Sequence, residues 1–224
     1  MPLATNDRYL YRIVRFERFV PMLRDDEWYF AHPSAWEDPY EVRSTNALSN
    51  AVFAQCWCRD GVSDAMWRIY STDKLGIRIR TTEQKLKSAL LRACIDQDIG
   101  LKIARVQYVN EIEHLLRDEK IRLSAARKPT FANAVSHLFL KRVAFKHEAE
   151  TRVLLFDSKQ DMDSNVKFIK VKLSTRNLID SVLVDPRAPD EFVAAYTAYI
   201  KGVLKFPGQV RKSQLYRSDV AREA

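Results

Sequence analysis

The sequence predicts an α+β fold with a mixed or split, mainly antiparallel sheet and several flanking helices. Short runs rich in β-branched and aromatic residues recur along the 224-residue chain, and such runs are typical of strands. Segments with apolar residues at helical spacing lie between them. The two kinds of segment do not alternate regularly, and this disfavours a doubly wound parallel sheet.

The predicted strands differ in how much of each is expected to be buried. The run Tyr9–Val14 predicts a first strand, and the nearly unbroken apolar run Val52–Cys58 is typical of a buried central strand. Residues 75–80 alternate between apolar and basic side chains, which predicts a strand with Arg78 and Arg80 on its outer face. The other predicted strands cover residues 28–31, 101–108, 152–156, 168–173, 178–184 and 210–216.

Helices are predicted wherever apolar residues recur every three or four positions. A short helix is predicted over residues 16–24, and Ser63 is the expected N-cap of another over 64–70. A longer amphipathic helix is predicted from Thr82 to about residue 98, ended by Gly100. The remaining predicted helices cover residues 110–123, 132–146 and 191–204.

Length and composition predict a single soluble domain over residues 1–224, with a mobile tail after residue 217. Hydrophobic residues make up 46% of the chain and charged residues 29%, which suffices for a sizeable core. There is no charged-then-apolar signal segment, and no apolar run approaches the ~18 residues of a membrane span, so a cytoplasmic location is expected. The three cysteines and four histidines do not cluster, which favours a reducing compartment and predicts no metal site.

The net charge of +8 favours a polyanionic partner, such as RNA or DNA bound through a basic surface. The same net charge is expected if the basic surface only keeps the protein in solution. Both interpretations stay open.

The stretch that bears most of the chemistry lies just before the apolar run at 153–156. Glu148, Glu150 and Arg152 are spaced two apart, so an extended strand would point all three side chains to one face. One interpretation places a pair of carboxylates, supported by Arg152, in an active site. A structural ion-pair ladder beside the sheet is the other.

A polar turn at residues 34–41 adds two more carboxylates, Asp38 and Glu41. Asp38 precedes Pro39, a pair that favours turn initiation. The segment is therefore either a simple capped turn or a loop of the site.

Motifs spread over nearly the whole chain resemble a bacterial and phage domain family of unknown function. Its pattern joins a leucine-tyrosine-arginine strand to a late tryptophan-x-x-glutamate-x-glutamate-x-arginine element and a closing serine-x-leucine-tyrosine. The matching segments here are Leu10-Tyr11-Arg12, Glu37-Asp38-Pro39-Tyr40-Glu41, Cys56-Trp57-Cys58, Met66-Trp67 with Tyr70, Gly76, Phe145 with Glu148, Glu150 and Arg152, and Ser213-Gln214-Leu215-Tyr216. The sequence departs from the pattern at Glu37, Cys58 and Phe145, where the family has asparagine, serine and tryptophan.

The order of these residues also resembles ADP-ribosyltransferases, which have a split mixed sheet around a cleft for NAD. Those enzymes place an arginine or histidine on the first strand, a serine or tyrosine on a middle element and glutamate-x-glutamate at a late strand. Arg12, the region 58–70 and Glu148-Ala149-Glu150 stand in that order here. The resemblance implies catalytic roles for Glu150 and Glu148, with support from Arg152 and with NAD as substrate. The residues that it implies for NAD binding are Tyr11, Arg12, Cys58, Trp67 and Tyr70.

The same resemblance implies transfer of ADP-ribose to a nucleic-acid or protein acceptor, by a toxin or phage-defence effector with an antitoxin or other defence partner. Two other functions stay open. A magnesium-dependent nuclease could use Asp38, Glu41, Glu148 and Glu150, although Arg152 stands where such enzymes have a lysine. A non-catalytic module could bind nucleic acid through the basic residues of the predicted strands, which are Arg78, Arg80, Lys170, Lys172, Arg211 and Lys212.

Overall fold

The structure is a computed structural model of the chain. It describes residues 8–36, 38, 41, 51–110, 135–157, 159 and 166–217. All but the first residue of the helix predicted over 110–123 lies outside these residues, as does the predicted tail after 217. None of the described helices is both long enough and apolar enough to cross a bilayer.

The described elements confirm the α+β class. The strands are β1 (Tyr9–Val14), β2 (Glu27–Ala31), β3 (Val52–Cys58), β4 (Ile77–Thr82), β5 (Ile99–Arg105), β6 (Gln107–Val109), β7 (Leu140–Arg142), β8 (Glu150–Asp157), β9 (Phe168–Lys172), β10 (Ser181–Val184) and β11 (Gln209–Lys212). The α-helices are α1 (Phe16–Asp25), α2 (Asp64–Tyr70), α3 (Glu83–Gln97), α4 (Thr175–Leu178) and α5 (Asp190–Ala198), and a π-helical turn over Tyr199–Val203 follows α5. Strand pairing is mainly antiparallel, and the parallel pairs are β10 with β11 and β6 with β7.

The described residues form two compact units, each assembled from separate stretches of chain. One unit draws on residues 1–27, 60–86 and 173–224, and the other on 28–59 and 87–172. The single domain expected from the chain length stays a prediction.

The first unit is built on strands in the order β11–β10–β4–β1. Leu10, Ile79 and Val182 lie fully buried on one face of this sheet. The opposite face carries aromatic and basic side chains, namely Tyr9, Tyr11, Arg78 and Arg80. The predicted apolar and basic alternation of β4 is therefore confirmed.

The start of α2 in this unit also agrees with its prediction. The Ser63 hydroxyl accepts a hydrogen bond from the backbone N–H of Met66 at 3.3 Å, as an N-cap does.

In the second unit, strand β8 lies between β3 and β5 and pairs antiparallel with both. One face of this sheet is divided into two halves. Its apolar half carries Ala54 and Leu154, covered by Val135, Leu138 and Phe139. In the other half, the register sets Cys56 and Cys58 of β3 opposite Arg152 and Glu150 of β8. The packed apolar half therefore fixes the position of the charged half, because both lie on the same strands.

The helix predicted over 132–146 is wrong in the described part of that segment. Residues Ser136–Phe139 and Val143–Glu148 form 3₁₀ turns, and β7 lies between them. The helical spacing of apolar residues arises here because Leu138 and Phe139 cover the sheet in a single turn. Pairing of β7 with β6 then takes the backbone hydrogen bonds that a helix would need.

Several boundaries also differ from their predictions, and two of them bear on how the elements end. The strand predicted over 178–184 begins only at Ser181, because Thr175–Leu178 forms α4. The predicted helix stop at Gly100 is wrong, since α3 ends at Gln97 and Gly100 lies inside β5. Asp98 makes the turn instead, with a left-handed φ of 57°.

The left-handed backbone at Asp98 gives a testable prediction. A side chain costs about 1 kcal/mol in this conformation, and glycine avoids that cost. Asp98→Gly is therefore expected to raise the free energy of unfolding in urea by about 0.5–1 kcal/mol. Asp96→Gly is the matched control, because Asp96 lies in helical backbone where glycine is unfavourable, and it should lower the same quantity. Equal effects of the two substitutions would contradict the assigned helix end.

Candidate functional site

Five charged side chains meet in the interior of the second unit. They are Glu41, Lys141, Glu148, Glu150 and Arg152, and none is more than 7% exposed. Buried charges are tolerated only when they are paired. These five residues are called the charge cluster below.

Arg152 connects two of the carboxylates in the charge cluster. Its Nε donates to Oε1 of Glu150 at 2.6 Å, and its Nη2 donates to Oε2 of Glu150 at 3.0 Å and to Oε1 of Glu41 at 2.8 Å. Its Nη1 donates to the carbonyl oxygen of Leu138. The guanidinium carbon lies 4.1 Å from the centre of the Trp36 ring. All three nitrogens of the guanidinium group thus donate a hydrogen bond, and the indole packs against its plane.

Lys141 connects all three carboxylates. Its Nζ lies 2.7 Å from Oε2 of Glu148, 3.3 Å from Oε2 of Glu150 and 3.5 Å from Oε1 of Glu41. The ring of Phe145 lies 4.9 Å from the same ammonium group, a cation–π distance. Lys141 is therefore the central cation of the charge cluster.

The charge cluster contains three carboxylates and two cations, and the pKa shifts reflect this imbalance. Burial alone would raise the pKa of Glu150, but the charge and hydrogen bonds of Arg152, with Lys141 and Cys56, lower it to about 2. Burial is also the largest influence on Glu41, and it raises the pKa of that carboxyl despite the nearby cations. Burial opposes the charge of Lys141 as well, yet the carboxylates raise the pKa of its ammonium group. Glu150 is thus ionised and Lys141 protonated at neutral pH.

Glu148 reaches the charge cluster by a route that its spacing does not predict. Strand β8 begins at Glu150, and the preceding Ala149 has left-handed backbone angles, with φ 44° and ψ 50°. Glu148 itself ends a 3₁₀ turn. The expectation of one shared strand face is therefore right for Glu150 and Arg152 and wrong for Glu148, which Lys141 holds in place.

Both carboxylates of the polar turn predicted as a possible site loop form ion pairs with residues of β7. Glu41 belongs to the charge cluster, while Asp38 accepts hydrogen bonds from Nε and Nη2 of Arg142 at 3.2 and 3.1 Å. Arg142 follows Lys141 directly, so consecutive residues of β7 bind the two carboxylates of the turn.

Strand β3 and Tyr108 surround Glu150. Cys58 is buried and stands opposite Glu150 in the strand register, and Cys56 stands opposite Arg152. The backbone N–H of Glu150 donates to the Tyr108 hydroxyl at 2.8 Å. Cys58 is thus adjacent to the charge cluster.

The other residues predicted to bind NAD belong to the first unit. Tyr11 and Arg12 are neighbours on β1, so their side chains point to opposite faces of the sheet. The guanidinium of Arg78 lies 4.9 Å from the ring centre of Tyr11 and 5.8 Å from that of Trp67, which brings these two rings together. Trp67 is only 1% exposed, whereas Tyr70 is 44% exposed.

Sequence reasoning missed four residues of the site. Lys141, Trp36, Tyr108 and Cys56 all touch the charge cluster or its backbone. The one available signal was the Trp36 ring just before Asp38, within the polar turn. Nothing in its local sequence distinguishes Lys141 from a solvent-exposed lysine.

Within the part of the chain that the structure describes, no group of three or more histidine, cysteine, aspartate or glutamate side chains is arranged to hold a metal ion. The carboxylates of the charge cluster instead have Arg152 and Lys141 as their partners.

Comparison with known proteins gives structural similarity at low sequence identity. No family model and no curated protein sequence matches the chain, so the resemblance to the domain family of unknown function rests on the motifs alone. DarT of Thermus sp. 2.9 in complex with NAD+ has a TM-score of 0.43 and 13% identity, over 96% of this chain and 100% of that chain. The same protein with carba-NAD+ gives 0.45 and 12%, over 93% of this chain and 97% of that chain. With ADP-ribosylated single-stranded DNA it gives 0.45 and 11%, over 93% and 95% of the two chains. At these values the similarity assigns neither a family nor an activity to this chain.

Proposed function

We propose that this chain is an ADP-ribosyltransferase, which cleaves the bond between nicotinamide and ribose in NAD and transfers ADP-ribose to a nucleic-acid or protein acceptor. The observation that carries the proposal is the charge imbalance of the charge cluster. Three buried acidic groups face two cations, and the lowered pKa of Glu150 keeps its carboxylate charged where the dielectric constant is low. Cleavage of a glycosidic bond passes through an oxocarbenium-like cation, which such a charge stabilises.

The proposed reaction needs a fixed negative charge and a proton acceptor. The bond from C1′ of the ribose to nicotinamide breaks, and its electron pair leaves with the now neutral nicotinamide. An oxygen or nitrogen of the acceptor then bonds to C1′ and releases a proton. Glu150, ionised down to a pKa of about 2, would supply the charge beside the ribose. Glu148 would take the proton, since within the described residues its Oε1 has no partner and only Oε2 binds Lys141.

The residues expected to bind NAD differ in what they offer. Arg12 has the planar fork that suits a pyrophosphate. Tyr70 is well exposed and offers a ring on which nicotinamide can stack, whereas Trp67 is buried, Tyr11 is partly buried, and Arg78 lies against both rings. Cys58 would act by packing beside Glu150.

One observation favours a nuclease as the second candidate. The lysine that the sequence lacks after Glu150 is supplied by Lys141, at 2.7 Å from Glu148 and 3.3 Å from Glu150. However, the carboxylates that would bind magnesium are already ion-paired with Lys141 and Arg152, and the pKa of Lys141 is raised, which makes it a poor proton acceptor.

A single assay separates the two candidates. The protein is incubated with NAD labelled in its adenylate phosphate, together with single-stranded DNA, RNA or lysate protein, with and without EDTA. We expect nicotinamide release, measured by chromatography, and label on an acceptor, both insensitive to EDTA. The proposal fails if no acceptor elicits nicotinamide release. Nucleic acid that is cut only when magnesium is free would support the nuclease instead.

A further inference from the structure

The face of the first unit's sheet that lies opposite its apolar core carries an unusual set of side chains. In the strand register, Tyr11 of β1 stands opposite Arg80 of β4, Arg80 stands opposite Ser181 of β10, and Ser181 stands opposite Gln209 of β11. Residues two positions along each strand share the same face. We call this surface the tyrosine–arginine face; its aromatic, basic and amide side chains are those of Tyr9, Tyr11, Arg78, Arg80, Gln209 and Arg211.

Arginine and tyrosine side chains are stacked in pairs on this face. The guanidinium carbon of Arg80 lies 4.5 Å from the ring centre of Tyr9, and that of Arg78 lies 4.9 Å from the ring centre of Tyr11. Arg78 also donates to the carbonyl oxygen of Gly61, which fixes that pair. The Tyr9 pair lies at the open end of the face, since Tyr9 is 46% exposed.

The charge on the tyrosine–arginine face has one sign. None of the β1, β4, β10 and β11 positions on this face is Asp or Glu, while three are arginine. The neighbouring Lys212 points to the other face, where Asp190 binds it at 2.8 Å. The exposed Arg211 has no such acid among the described residues. Arg211 is therefore the positive charge of this face that a ligand can reach.

We propose that the tyrosine–arginine face binds single-stranded nucleic acid. An exposed tyrosine ring stacks on an unpaired base and an arginine binds a neighbouring phosphate, and the face offers the Tyr9 ring, stacked with Arg80, and the exposed Arg211. A duplex hides the faces of its bases and would leave the rings unused. Binding to this face needs no cleavage of NAD, so this proposal and the proposed function stand or fall separately.

The test measures fluorescence anisotropy of a labelled 20-nucleotide single strand, as DNA and as RNA, at 50 and 200 mM salt. Wild type is expected to bind more weakly at the higher salt concentration. Tyr9→Leu is expected to weaken binding about tenfold, while Tyr9→Phe retains it, because stacking requires the ring and not the hydroxyl. Melting temperatures check that each variant folds.

Two adjacent residues of β11 provide the matched control. Arg211→Ala is expected to weaken binding and to lower its salt dependence, whereas Lys212→Ala, which removes the same charge from the opposite face, leaves binding unchanged. The proposal is overturned by an absence of binding at 50 mM salt, by equal losses in Arg211→Ala and Lys212→Ala, by full affinity in Tyr9→Leu, or by a duplex competitor that displaces the strand as well as the strand itself does.

Discussion

Replacing Arg152 by methionine is expected to lower the free energy of unfolding by about 3–5 kcal/mol at pH 8, because it leaves buried carboxylates without their cation. Arg152 is 1% exposed and binds both Glu150 and Glu41. Methionine keeps much of the apolar volume, so the loss is mainly electrostatic. Three carboxylates would then face Lys141 alone, and the excess negative charge would double.

The destabilisation is expected to depend on pH in a particular direction. In wild type the folded-state pKa of Glu150 is about 2, below its unfolded value of about 4.3, so its contribution is present above that value and lost as pH falls towards 2. In Arg152→Met, burial raises the pKa of Glu150 above its unfolded value, and the penalty is relieved as pH falls. The difference between the two proteins should therefore shrink from pH 8 to pH 4.

Urea unfolding at pH 8 and pH 4 measures both effects. Arg68→Met is the matched control, since Arg68 forms an exposed ion pair with Asp64 one helical turn away, and it should leave the unfolding free energy nearly unchanged. A small loss for Arg152→Met at pH 8, or a loss of equal size at both pH values, would mean that the charge cluster does not depend on this arginine.

Local sequence predicts the part of the site that lies on one strand. Glu150 and Arg152 share a face because β8 is extended, and the apolar residues that follow fix them beside β3. Side-chain alternation along a strand depends only on adjacent residues, so local sequence suffices for this pair. The alternation does not extend to Glu148, because a single left-handed residue, Ala149, changes the direction of the chain.

The cations and aromatic rings that complete the site come from segments whose local pattern is ambiguous. Val135, Leu138 and Phe139 have helical spacing, yet they cover a sheet from a 3₁₀ turn, and this puts Lys141 on a strand that points into the charge cluster. Such a position is set by packing between distant segments, and no periodicity within a window encodes it. A sequence motif is equally uninformative about side-chain direction in β1. Tyr11 and Arg12 are adjacent in the motif, but the strand points their side chains to opposite faces of the sheet.

Replacing Glu150 by glutamine is expected to reduce nicotinamide release by about 10²- to 10³-fold, if the proposed function is right, because it removes the charge that stabilises the oxocarbenium-like state. The fold should survive. The substitution removes one negative charge from the charge cluster, the amide oxygen still accepts one hydrogen bond from Arg152, and Arg152 keeps Glu41 as its other acid. Single-turnover release at saturating NAD measures the effect, with urea unfolding as the check on the fold.

Glu148→Gln makes the same change of charge on the neighbouring acid and separates the two proposed roles. It should reduce transfer to the acceptor more than release of nicotinamide, since Glu148 is assigned to the acceptor's proton. Glu191→Gln, on the exposed side of α5, controls for the loss of one carboxylate and should change neither. If folded Glu150→Gln releases nicotinamide at nearly the wild-type rate, the charge cluster is a structural ion-pair network and the reaction centre lies elsewhere in the chain.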